Sequence, residues 1–313
     1  MLRLMKAFVT GGAGFIGSNL VDALVERGDA VDVLDDLSTG RPSNLEGALE
    51  RGAVLHEADI RDAERLAGLV AAAAPDVIFH LAAQIDVRRA VADPAFDAGV
   101  NVGGTINVLE AARRAGVARV VNSSTGGAIY GDADTIPTGE DHTPAPMAPY
   151  GQSKHAAEGY IGLYGRLHGL SAVSLRYANV YGPRQDPHGE GGVVAIFCGK
   201  LVEGGTPVAF GDGRQTRDYV YVGDVVAANL AAAASAWEGA CNIGTGSETT
   251  VIELADALRA LGDGAFALEH APERPGEVIR STVDPALARE VLGWEAQVPL
   301  AEGLRRTLAS ISG

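Results

Sequence analysis

Short runs of aliphatic and β-branched residues alternate with longer amphipathic stretches through the first half of the chain. The runs Ala7 to Thr10, Ala30 to Leu34, Val54 to His56, Val77 to His80 and Val120 to Asn122 predict buried strands, and the Ala/Leu-rich segments between them predict helices. Strands spaced this way pair in parallel through right-handed crossovers, so the pattern implies an α/β fold: a doubly wound parallel sheet with helices on both faces. The first helix should run from about Phe15 to Arg27, with Ile16, Leu20, Ala23 and Leu24 on one face and Gly28 ending it. Later strands are expected at Ala172 to Leu175 and Cys241 to Ile243. After about Tyr181 the alternation breaks at Gly182-Pro183 and through the Gly- and Pro-containing segment from Asp186 to Gly192. A smaller C-terminal substrate lobe is therefore expected from residues 181–217 and 247–313, with residues 1–180 forming the main domain and 218–246 returning to it.

Composition narrows the class. At 313 residues and 47% hydrophobic content the chain can bury a full core, yet no apolar stretch approaches the roughly 20 residues a membrane span requires. The first ten residues run into a glycine loop without a cleavage pattern, which reads as a first strand and not a leader. A net charge of -15 repels polyanions, and no long basic run offsets it, which argues against nucleic acid. A phosphorylated small molecule stays open, because a few arginines reverse the field locally. Cys198 and Cys241 match no metal or redox spacing, which fits a reducing, cytoplasmic setting without a bound metal.

Gly11-Gly12-Ala13-Gly14-Phe15-Ile16-Gly17 stands between the first strand and first helix. Glycines there let the backbone turn tightly and approach a pyrophosphate, and Gly17 lets the helix pack closely while its N-terminus faces the phosphates. The sheet thus reads as Rossmann-like and the cofactor as a dinucleotide. Asp35 and Asp36 end the second strand where a carboxylate binds the adenosine ribose and repels a 2′-phosphate, favouring NAD over NADP. Asp59-Ile60 should border the adenine. Ala82, Ala83 and Gln84 follow the fourth strand with small residues where a backbone passes close to the cofactor. His80 reads as a core histidine satisfied by a neighbour in preference to a base.

Tyr150 and Lys154 lie one helical turn apart. A phenol titrates near 10, so it serves as a base at neutral pH only where positive charge stabilises its anion. Lys154 and the ring of an oxidised nicotinamide are the expected sources.

With the glycine loop, the segments His80-Leu81-Ala82-Ala83, Ser123 to Gly131, Tyr150 with Lys154, Arg176 to Pro183 and Arg217 to Val222 resemble, in order, the extended short-chain dehydrogenase/reductase family. Within it they resemble the nucleotide-sugar 4-epimerases. The resemblance implies that Tyr150 removes the proton of a sugar 4-hydroxyl as the C4 hydride passes to NAD, and that hydride returned to the opposite face inverts C4. It assigns Thr125, with Ser124 as the fallback, as the hydroxyl that bonds the phenol and the sugar oxygen, and Tyr177 to the cofactor. It places Gly126, Asn179, Val208 and Phe210 on the substrate, and Arg217 and Arg274 on its diphosphate, where a guanidinium grips oxygens through two donors. Arg184 and Arg88 are candidates for a sugar carboxylate. Gly126-Gly127 stands where dehydratases and decarboxylases of the family carry acids, which favours an epimerase. The sugar is expected to be UDP-glucose/UDP-galactose, with UDP-glucuronate as the alternative; a dehydratase, a reductase and a non-catalytic NAD-binding sensor are the further readings. The helices expected at about Asp93 to Ala115 and Tyr150 to Leu167 resemble the pair through which the family forms a homodimer.

Overall fold

The apolar runs become one seven-stranded parallel sheet. The computed structural model describes residues 4–188, 192–261, 266–273 and 278–312. Its strands are β1 (Lys6–Thr10), β2 (Ala30–Asp35), β3 (Val54–Glu57), β4 (Val77–His80), β5 (Arg119–Thr125), β6 (Ala172–Tyr177) and an edge strand, Gly239–Ile243. From one edge to the other they run Gly239–Ile243, β6, β5, β4, β1, β2, β3, every pair parallel. The order reverses between β1 and β4, and that switch opens a crevice at the carboxyl ends of the strands. In register, Thr10 faces both Leu34 and His80, so the loops that start at Gly11 and Leu81 leave the sheet side by side.

Alternate residues of each strand feed two cores. Phe8, Leu34, Ile78 and Val120 pack with Leu66, Val70, Val108 and Leu109 on one face. Ala7, Val9, Val33, Phe79 and Val121 pack with Leu20 and Leu24 on the other. Burying each large side chain contributes about 1.5–3 kcal/mol, and a one-residue slip would exchange the two sets, so both faces fix the register.

The stretch expected as one helix from Asp93 to Ala115 is broken into Pro94–Ala98, a π-turn over Gly99–Gly103 and Gly104–Ala115. A Cβ at Gly104 would lie 2.4 Å from Ile60 Cδ1, so this helix packs closer than a larger residue allows. The wider turn brings Asn101 inward, where it is buried. Beyond β6, the strand Asn179–Tyr181 pairs in parallel with Tyr219–Tyr221. Helices Val193–Val202, Val251–Leu261 and Leu300–Ser312 gather around Tyr181, Phe197, Leu254, Leu258 and Leu304 as a third core. Helix Val222–Ala234 returns to pack on helix Phe15–Glu26. Cys198 and Cys241 are free and buried. Among the described residues no helix is long and apolar enough to cross a membrane.

Candidate active site

The glycine loop is a turn that other side chains would block. Gly11 has φ +71°, and a Cβ there would lie 2.6 Å from the Ala82 nitrogen. A Cβ at Gly17 would lie 2.1 Å from the Gly11 oxygen, so the first helix lies directly against the loop. That helix, Phe15–Glu26, starts at Gly14 with no side-chain cap and no acid in its first turn, leaving its N-terminal N–H groups and Phe15 and Ile16 at the mouth of the crevice. Asp35, 6% exposed, accepts the Ala13 N–H at one carboxylate oxygen and the Leu37 N–H at the other, each at 2.9 Å. Burial raises its pKa above the usual carboxylate range, against the pull of those two bonds. Asp36 points to solvent and holds the Ser38 N–H and hydroxyl, so the two adjacent aspartates separate, and Asp35 is the one beside the loop. The Ala13 carbonyl accepts from the Arg41 N–H and from Asn44 Nδ2, which closes the cradle. Asp59 is engaged by Arg61, while Ile60 is buried under Gly104 and its carbonyl accepts from Asn107. An uncapped helix start, a glycine-rich loop and the buried Asp35 carboxylate at the end of β2 are the N–H donors and the acceptor a dinucleotide needs, so the residues fit NAD.

His80 is a splint. Thr105 Oγ1 donates to the Asn101 carbonyl, so it accepts the proton of His80 Nε2 at 3.0 Å. His80 Nδ1 then accepts from Thr10 Oγ1 at 2.8 Å, and Thr10 Oγ1 accepts the Ala82 N–H. Burial, aided by the charge of Lys154, lowers its pKa to about 3, so the ring is neutral. The chain of bonds fixes Ala82 and Ala83 against the glycine loop. Gln84 is buried, and Asn101 brackets it by accepting its N–H and donating to its carbonyl, both at 2.9 Å.

The group around Tyr150 is assembled from separate segments of the chain. Helix Pro149–His168 begins with Pro149 in its first turn after an extended Ala148 and ends at Gly169 with φ +64°. Its inner face carries Ser153, Lys154, Ala157, Ile161 and Tyr164, all buried. A Cβ at Gly151 would lie 2.4 Å from the Ala128 carbonyl oxygen, so the helix comes close enough to set Tyr150 against the end of β5. There Thr125 makes a side-chain hydrogen bond to the Tyr150 phenol, which draws its pKa down. Burial and the negative charge of Asp97 outweigh that bond and push the phenol up to about 12. Lys154 Nζ donates to the Ser123 carbonyl at 2.9 Å, and burial lowers its pKa to about 8 while Asp97 and Glu158 hold it up. Ser124 turns away and donates to Glu158 Oε1 at 2.5 Å. Glu158 also accepts from the Arg176 guanidinium at 2.7 Å, and Arg176 donates to Tyr130. Thr125, not Ser124, is thus the hydroxyl on the phenol.

A cleft of about 270 Å³ opens on this group, lined among others by Ile16, Thr125, Tyr150, Tyr177, Asn179 and Gln185. The Tyr177 hydroxyl bonds to Asn229 in the core, so its ring presents to the cleft. Gly126 begins a short turn, Gly126–Ile129, and is buried, where a Cβ would lie 2.6 Å from Val283 Cγ1; a Cβ at Gly127 would reach 3.5 Å from Asn179 Oδ1. Val208 and Phe210 lie on a strand paired with Glu269–Ala271, and Arg217 lies on one paired with Arg280–Ser281. Gln215, whose amide donates to the Phe210 carbonyl, ties these two strands together, outside the lining of the cleft. Arg184, at φ +72°, pairs with Asp22 on the first helix at 2.6 Å and is not among the lining residues. Arg274 lies outside the described residues. Among those that are described, no group of three or more His, Cys, Asp or Glu is placed to hold a metal.

The sequence reading missed Asp97, Asn101, Ser153 and the Glu158–Arg176 pair. Arg176 inside an apolar strand and Glu158 one turn after Lys154 signal a buried pair. Asp97 leaves no such trace, since Pro94–Ala98 reads as an ordinary polar helix end.

A model of the family described as "NAD dependent epimerase/dehydratase family" matches residues 7–244. The UDP-glucose 4-epimerase of Mycolicibacterium smegmatis is 51% identical over 306 residues, 97% of each chain. The structure of UDP-glucose 4-epimerase with UDP-glucose from Thermotoga maritima is 45% identical with a TM-score of 0.93, covering 97% of each chain. That of the Thermus thermophilus UDP-glucose 4-epimerase in complex with NAD is 43% identical with a TM-score of 0.92, covering 99% of each.

Proposed function

The chain belongs to the NAD dependent epimerase/dehydratase family, and we propose that within it the protein is a UDP-glucose 4-epimerase. The observation that carries the reading is the Thr125–Tyr150 contact at the end of β5, beside a cradle suited to NAD, with Gly126-Gly127 following Thr125 where the resemblance would put an acid in a dehydratase. NAD supplies a reversible hydride acceptor for C4. Gly11, Gly14, Phe15, Ile16, Gly17 and Asp35 hold it from the first two strands, with Asp59, Ile60, Ala82, Ala83, Gln84 and Tyr177 along the crevice. Tyr150 takes the O4 proton, Thr125 orients O4 towards the phenol, and Lys154 supplies positive charge beside the forming anion. Tyr150 returns the same proton when C4 is reduced from its other face, so the acid and the base are one group. Between the two transfers the 4-keto sugar turns over in the cleft lined by Thr125, Tyr150, Tyr177 and Asn179, while the nucleotide is held by Val208, Phe210, Arg217 and Arg274 in a lobe made of residues 181–217 and 247–313. Asn179 contacts the sugar.

UDP-glucose is favoured over UDP-glucuronate because neither candidate for a C6 carboxylate, Arg184 or Arg88, lines the cleft, and because the relatives above are UDP-glucose 4-epimerases. The protein acts as a cytoplasmic homodimer. The exposed Tyr160 and Leu167 lie on helix Pro149–His168, one of the two helices through which the resemblance implies the dimer forms, and a second copy would cover them. Incubating the purified protein, without added NAD, with UDP-glucose and separately with UDP-glucuronate tests the assignment. Conversion of the first to UDP-galactose is expected; formation of neither C4 epimer would overturn it.

A further inference from the structure

Asp97 is fully buried yet has no role in the proton transfer described above. Its Oδ2 accepts from Ser153 Oγ at 2.6 Å, next in sequence to Lys154. Its Oδ1 accepts from Gln84 Nε2 at 2.9 Å and Asn101 Nδ2 at 3.1 Å. Each of these partners is neutral, so the carboxylate is fixed by three donors and neutralised by none of them. Isolated buried charge is costly, and its compensation must come from a charge nearby. The charged groups that face the Tyr150–Lys154 pair from each packed element are few. Among the described residues these are Asp97 from helix Pro94–Ala98 and Glu158 from the catalytic helix itself; His80 from β4 is neutral. Glu158 and Arg176 pair with each other at 2.7 Å, with side chains 8% and 7% exposed. Asp97 is left as the counter-charge of Lys154.

On the epimerase reading, we infer that Asp97 is a positioning residue that balances Lys154 and so makes ionisation of Tyr150 depend on the positive charge of the bound oxidised cofactor. Asp97 offsets the charge that Lys154 presents to the phenol, so Lys154 alone does not ionise it. One added positive charge tips that balance, and removal of that charge by reduction restores the protonated phenol. Asp97 also joins the two halves of the site physically. Through Gln84 it reaches the loop after β4, and through Ser153 it reaches the catalytic helix.

The test is Asp97→Asn. An asparagine can keep all three contacts, its oxygen accepting from Gln84 and Asn101 and its amide donating to Ser153 Oγ, so the change removes charge and keeps shape. Tyrosinate absorbance is titrated in the purified protein, and the same titration in a Tyr150→Phe background isolates this phenol from the other seven tyrosines. Asp97→Asn should move the Tyr150 titration downward by on the order of one pH unit, the size expected from one unit charge several ångströms away. The acid limb of kcat should move the same way. A merely structural role would reduce kcat and leave both curves in place, and that result overturns the inference. Ser153→Ala keeps the carboxylate and must leave both curves where the wild type has them; a shift as large as that of Asp97→Asn would also overturn it. Should Asp97→Asn fail to fold, Asp97→Ser reads the same shift. A wild type inactive on UDP-sugars would undo the epimerase reading, while the absorbance titration would still decide on Asp97.

Discussion

The dinucleotide cradle and the proposed proton-transfer site share the carboxyl end of one sheet but are built from different material. The cradle is largely backbone: the bare loop Gly11 to Gly17, an uncapped helix start and N–H groups on Asp35. The proton-transfer site consists of side chains from β5, the broken helix around Asn101 and helix Pro149–His168, set among buried charges. A backbone site tolerates no added atom, whereas a side-chain site depends on how charges balance. Substitutions should therefore fail in different ways on the two sides.

The largest effect is expected at Tyr150. Tyr150→Phe removes the acid/base group, and turnover should fall by about 10²–10⁴-fold, while calorimetry should find UDP-glucose binding nearly intact. Near-normal turnover would sink the proton-transfer assignment. On the cradle side, Gly17→Ala puts a methyl 2.1 Å from the Gly11 oxygen. Relieving that overlap should cost about 1–3 kcal/mol and open the loop, so the purified variant should lose its NAD, read by cofactor release on denaturation. Retained stoichiometric NAD would mean that the close packing is not needed.

Lys154 separates stability from activity. Its pKa is lowered from 10.5 to about 8, chiefly by burial, so the folded state disfavours the ammonium. The contribution to stability is full above pH 10.5 and is lost as pH falls through 8, which makes the charged lysine a net cost at pH 7. Lys154→Met should abolish turnover. It removes the cost of the buried ammonium but leaves Asp97 without its counter-charge, so its stability relative to the wild type should fall as pH rises from 8 to 10.5, followed by thermal melts across that range. A relative stability that stays flat across that range would contradict the cost assigned to the buried charge. The smallest effect is expected at Arg184, whose half-exposed pair with Asp22 is worth about 0–1 kcal/mol. Arg184→Ala should leave kcat/KM for UDP-glucose within a few-fold, and a large loss would return this arginine to the substrate.

The same contrast governs what could be read from the chain. The β1–loop–helix unit was legible because its physics is local: a strand, glycines and an apolar helical face within about twenty residues. Strand positions followed from apolar runs buried on both faces, and Thr125, Tyr150 and Lys154 come together as the resemblance implied. The two aspartates after β2 could not be told apart in sequence, since which of them turns inward depends on the loop N–H groups that only the folded chain presents. Ser124 and Thr125 posed the same problem, resolved when β5 points one hydroxyl at Glu158 and the other at Tyr150. The π-turn around Asn101 and the burial of Asp97 were invisible because they arise from packing of helix Gly104–Ala115 on Ile60, a contact 44 residues apart along the chain.

The central claim is that one carbon gives up hydride and receives it back on its other face without release of the sugar. UDP-glucose carrying deuterium at C4, incubated with the protein in ordinary water, tests it by mass spectrometry and NMR of the UDP-galactose formed. The account predicts that the deuterium stays at C4 of the inverted product. Product that has exchanged its deuterium for solvent hydrogen would contradict it.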